Sequence, residues 1–112
     1  MQPESRKLLL DMLDFANSIV EATQNRTLND LKNDKLLRAG IYHWFTVIGE
    51  ALTQLHQFDK DTGERISESP RIIGFRNQIV HGYAKIEDEI TWRIIQTKLP
   101  VLKRELEQLL AE

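Results

Sequence analysis

Apolar residues recur at three- and four-residue spacing along most of the chain, and strand-like alternation is nowhere sustained, so the pattern predicts helices throughout. Behind Pro3 and Ser5, which suit a helix start, Leu8, Met12, Phe15 and Ile19, flanked by Leu9, Leu13, Ala16 and Val20, form one broad apolar face ending near Thr23. Residues 24–33 are polar and rich in cap-forming side chains, which predicts a connection with at most one helical turn. A second helix is expected from near Asp34 to about Gln57. Its stripe Leu37, Ile41, Trp44, Ile48, Ala51 and Leu55 is the pattern of a seam that packs against another helix. Residues 58–70 hold one Gly, one Pro and six charged residues, and are the expected loop and mobile element. A short third helix spans about Pro70 to His81, with Gly82 placed where a left-handed residue commonly ends a helix. The fourth opens near Glu87 and carries Trp92, Ile95, Leu99, Leu102, Leu106 and Leu109, one seam running to the C-terminus with a bend at Pro100.

These elements predict an all-α fold, an antiparallel bundle of four to five helices forming a single domain over residues 1–112. The first helix is apolar over two adjacent stripes, and the second carries Leu36, Phe45, Val47 and Leu52 outside its main stripe. Either this surplus completes the core or it is buried in a dimer. Hydrophobic residues at 41% and charged residues at 29% lie near globular averages, so a packed core is feasible. With 15 Lys and Arg against 17 Asp and Glu, the chain is no polycation, and any nucleic-acid contact must rest on a local patch. The absence of cysteine excludes a disulfide scaffold, a thiolate nucleophile and sulfur-ligated zinc. Asp11 and Asp14 interrupt the N-terminal apolar residues, so neither signal peptide nor membrane span is expected and the cytoplasm is the default location.

The chemistry concentrates between residues 70 and 85, where Arg71, Arg76 and Lys85 accompany His81 and Tyr83 without a single acid. A local anion site is expected there. On the third helix Ile72, Ile73, Phe75, Ile79 and Val80 cluster around Arg76, which therefore needs a partner. Asn77 and His81 stand four residues apart on a different face, where the amide can hydrogen-bond the imidazole and fix its tautomer. That arrangement orients a general acid or base. On residue type and spacing alone, purely structural roles are the commoner ones: Arg76 as an ion-pair member with Glu50, His81 stabilised by the carboxyl end of the helix dipole, and Tyr83 packed back on the preceding helix. His43 and His56 lie thirteen residues apart with no His at i+4, so they read as structural or surface residues and no metal site is expected. Trp44 and Trp92 fall on seam positions and read as core.

The string Arg76-Asn77-Gln78-Ile79-Val80-His81-Gly82-Tyr83 resembles the R-x-x-x-x-H-x-Y motif of the HEPN superfamily, and in particular its HepT-like toxins. Gly49-Glu50-Ala51-Leu52 is similar to the G-E-A-L of that family's second helix. Ile86, Glu87, Trp92, Leu99-Pro100 and Leu102 resemble its fourth. The chain departs from the pattern at Glu87, where an Asp cap is usual, and at Ile73, near which the family often has a tryptophan. The resemblance implies a homodimeric, metal-independent ribonuclease without a cofactor, acting on transfer or messenger RNA as the toxin of a toxin–antitoxin pair. It implies Arg76 and His81 as the catalytic pair and Tyr83 as the hydroxyl that a small nucleotidyltransferase antitoxin adenylylates. Asn77 would support the pair, and Arg71 and Lys85 would bind substrate. The alternative is a non-catalytic HEPN module that uses the basic segment to bind nucleotide or a nucleotidyltransferase partner.

Overall fold

A computed structural model describes all residues, 1–112. Seven α-helices and one 3-10 turn make up the chain: α1 (Pro3–Thr23), α2 (Leu28–Asn33), α3 (Lys35–Phe58), α4 (Lys60–Glu64), α5 (Ser69–Gly82), the 3-10 turn Tyr83–Lys85, α6 (Asp88–Thr97) and α7 (Leu99–Leu110). The four rods of the bundle are α1, α3, α5 and the pair α6 and α7. The short helices α2 and α4 lie in the connections.

Helix α3 is the central rod and packs against both α1 and α5, while α1 also packs against α7. The start of α1 touches the ends of two other rods: the Ser5 hydroxyl donates to Asp59, just past α3, and Arg6 donates to the Leu110 carbonyl at the end of α7. Both pairings are therefore antiparallel. The face of α1 that meets the core is the line Ser5, Leu9, Met12, Ala16, Ile19, all fully buried. Leu8, Leu13, Phe15 and Val20 are only partly covered. The second stripe predicted for α3 is divided: Phe45 and Leu52 are fully buried and complete the core, Val47 is half-buried and Leu36 is 84% exposed. Trp44 and Trp92 pack at the edge of the core, partly buried.

Three local expectations need correction. Residues 24–33 hold a six-residue helix, α2, rather than one turn at most. Thr27 and Asp30 form a reciprocal capping box (3.2 and 2.8 Å), which satisfies otherwise orphan N–H groups. Leu31 then anchors the helix in the core. Residues 58–70 are docked rather than a free loop: Asp59 caps α4, and Ile66 and Ser69 are buried. Their polar composition hid a single apolar anchor, Ile66. Gly82 is not left-handed (φ −160°): α5 ends on it and the 3-10 turn follows directly. The left-handed residue is Asn25 (φ 58°), just beyond α1. The fourth rod is interrupted where the bend at Pro100 was expected: α6 ends at Thr97 and α7 starts at Leu99, with Lys98 between them still in the helical region (φ −97°, ψ −38°). Pro100 has no N–H to continue the ladder and is tolerated in the first turn of a new helix.

Candidate active site

Helix α5 carries the motif, and its own pattern sets the motif's orientation. Ile72 and Phe75 are fully buried, with Phe75 edge-on to Phe45 (centroids 5.2 Å) and Tyr42 (6.5 Å). Such edge-to-face pairs add to ordinary burial. With that face fixed, Asn77 and His81 emerge on the solvent side, and both are exposed. Arg76 sits on the flank that faces α3, its side chain 24% exposed.

The Arg76 guanidinium is held at two points. Its Nη2 donates to Glu50 Oε1 on α3 (3.2 Å), and its Nη1 donates to Asn77 Oδ1 (3.2 Å). Glu50 is thus the partner that an arginine among apolar neighbours requires. Arg76 Nε is buried without a partner. The aliphatic stem lies over Gly49, where an added Cβ would stand 2.5 Å from Arg76 Cβ and 2.6 Å from Cγ. Glycine is therefore what lets α5 approach α3 so closely. The expected Asn77–His81 hydrogen bond is not made. The amide oxygen turns to Arg76 instead, because a charged donor makes the stronger bond, and His81 projects into solvent.

Arg76 and His81 are five residues apart, about 140° around the helix, so their side chains leave α5 in different directions. The Asn77 contact draws the guanidinium back toward the His81 face. Beside it Glu50, Thr53, Gln54 and Arg76 line a small polar cleft of about 170 Å³. Thr53 and Gln54 follow Glu50 at i+3 and i+4, so helical spacing was the signal that could have found them. Tyr83 opens the 3-10 turn at 71% exposure and does not pack back on α5. Arg71 and Lys85 converge in a hollow of about 280 Å³ with Gln78, Ile86, Glu87 and Ile90. That hollow lies on the flank opposite Arg76, so the structure separates the two predicted substrate-binding cations from the guanidinium. Gln78 joins them because it lies seven residues, two turns, from Arg71. Elsewhere, His43 is exposed on α3, and the half-buried His56 ring packs over Gly63 of α4.

The chain is thus an all-helical bundle whose α5 carries Arg76 and His81, with the accessible Tyr83 just beyond it. Residues 12–109 match the family described as Ribonuclease HepT-like, and the chain belongs to that family. It is 29% identical to "Putative RNase MJ1380" of Methanocaldococcus jannaschii over 91% of this chain and 93% of that one. It is 24% identical to "Putative RNase MJ1216" of the same organism, over 96% and 88%. It is 25% identical to "Putative RNase TTE0752" of Caldanaerobacter subterraneus subsp. tengcongensis, over 94% and 93%. No solved structure matches the chain. No helix is long and apolar enough to cross a membrane.

Proposed function

We propose that this protein is the toxin of a toxin–antitoxin pair, a metal-independent endoribonuclease that cleaves transfer or messenger RNA through the ribose 2′-hydroxyl. The observation that carries the reading is the conjunction, on one helix end of a HepT-like chain, of a tethered Arg76, a solvent-facing His81 and an exposed Tyr83. Histidine is the side chain most often used as a general acid or base, so His81 suits removal of the 2′-hydroxyl proton. The freed 2′-oxygen bonds to phosphorus, the bond from phosphorus to the 5′-oxygen breaks, and the leaving oxygen takes a proton. Arg76 donates to the phosphorane oxygens as their charge grows. Arg71 and Lys85 hold the flanking backbone.

Acid and base are both needed, and one chain has one motif histidine. Two copies in a two-fold dimer, their α5 ends facing one cleft, supply the pair. Val80, 46% exposed on α5, is apolar surface suited to that contact. Adenylylation by a nucleotidyltransferase antitoxin fits Tyr83: its hydroxyl attacks the α-phosphorus of ATP, pyrophosphate leaves, and the resulting phosphodiester places a negative charge two residues from His81. That charge competes with RNA for Arg76 and obstructs the cleft.

The deciding experiment incubates purified protein with RNA in chelator beside a His81→Ala variant. Products should end in 2′,3′-cyclic phosphate, and RNA carrying a 2′-methoxy group at the cut site should survive. Cleavage of the blocked RNA, or an absolute requirement for magnesium, would falsify the mechanism. The tether of Arg76 to Glu50 also suits a non-catalytic module that binds nucleotide or a nucleotidyltransferase, and a wild-type protein inert toward RNA would favour that reading.

A further inference from the structure

We infer that Glu50 and Asn77 are positioning residues that aim Arg76, an inference that rests on the catalytic reading of Arg76 above. A guanidinium has five N–H donors. Glu50 takes one on Nη2 and Asn77 takes one on Nη1, while the Nε proton is enclosed between α3 and α5 without a partner. One N–H on each terminal nitrogen is left, which is the two-pronged fork that grips a pair of phosphate oxygens. The root of the stem packs closely on α3, where Arg76 Cβ and Cγ lie against Gly49. The two acceptors come from different rods, so the direction of the fork is set by the packing of α3 on α5. Beside Arg76 lies the polar cleft with Thr53 and Gln54.

The opposite role for Glu50, a carboxylate that sequesters Arg76 from substrate, would use the same contact and predicts the opposite kinetics. Glu50 is half exposed on its side chain, so replacing it spares the core. Under the positioning role, Glu50→Ala should lower kcat by on the order of 10²-fold, the effect of misplacing a reacting group by about 1 Å, with KM changed only a few-fold. Glu50→Gln keeps an acceptor oxygen and should restore most of the rate, a rescue that simple charge removal would not give.

Rates of wild type, Glu50→Ala, Glu50→Gln and Arg76→Ala are compared on one RNA, with melting temperatures recorded for each. In parallel, the nitrogen-15 resonance of Arg76 Nε, assigned by its loss in Arg76→Ala, reports guanidinium order without any turnover. Exchange of the Nε proton should be slow in the wild type and in Glu50→Gln, and fast in Glu50→Ala. An unchanged or raised kcat in Glu50→Ala overturns the inference, and a rise assigns Glu50 the sequestering role. If no variant, wild type included, cleaves RNA, the catalytic reading fails by itself. The Nε exchange then still decides whether Glu50 orders Arg76, and equal exchange in wild type and Glu50→Ala overturns that too.

Discussion

Replacing Gly49 by alanine tests the closest approach in the site. The new methyl would stand 2.5 Å from Arg76 Cβ, 2.6 Å from Cγ and 3.5 Å from Cδ, whereas carbon atoms rest about 3.5–4.0 Å apart. A separation of about 1 Å must therefore open. Cβ and Cγ are the rigid root of the side chain, so rotation of the guanidinium does not relieve the contact and α5 itself has to move off α3. Overpacking of this kind costs about 1–3 kcal/mol. Alanine in a helix interior recovers about 1 kcal/mol relative to glycine, leaving a net loss of up to about 2 kcal/mol. For a chain of this size that is a fall in Tm of up to about 8 °C. The same movement carries Arg76 about 1 Å from its place, which should cut the cleavage rate on the order of 10²-fold. Thermal unfolding by circular dichroism and cleavage at saturating RNA read the two effects. A cycle with Arg76→Gly isolates the cause, since removing Cβ and Cγ should make the alanine stabilising rather than destabilising. A Gly49→Ala protein that melts higher than wild type and cleaves at the wild-type rate would refute the reasoning.

Three further outcomes are expected. His81→Ala should lose cleavage by about 10²- to 10⁴-fold with no change in Tm beyond that of an exposed side chain, and retained activity would remove His81 from the chemistry. Tyr83→Phe should keep cleavage yet take no label from radioactive ATP in the presence of the nucleotidyltransferase, and labelling equal to wild type would dispose of Tyr83 as the acceptor. The Asp59 carboxylate is held below its ordinary range, first by the Ser5 hydroxyl and then by Thr62. A depressed carboxylate stabilises the fold above the unfolded value of about 4, and that contribution is lost as pH falls through the folded value. Ser5→Ala should therefore lower Tm near neutral pH, with the difference from wild type shrinking below about pH 4, and a pH-independent difference would contradict it.

The four rods and their inward faces were legible in the chain, because helical periodicity and burial are written at three- and four-residue spacing: Ile41, Ile48, Leu55 and Leu102, Leu106, Leu109 all reach the core as the pattern predicts. The motif's place at the end of one helix was legible for the same reason, and so was Glu50 as the acid available to Arg76. Segments whose order depends on one distant contact were not. Residues 58–70 look like a loop locally, and only the core that receives Ile66, together with the Ser5 hydroxyl that meets Asp59 across 54 positions, makes them part of the fold. Tertiary structure likewise chose between partners that spacing left equal. Asn77 lies one turn from His81 in sequence, yet α3 brings Glu50 and Gly49 against Arg76 and leaves its second terminal nitrogen facing the Asn77 amide. Spacing along a helix determines which side chains share a face. Which of them meet a charge is decided by the rod that packs beside it, and that depends on contacts no local window contains.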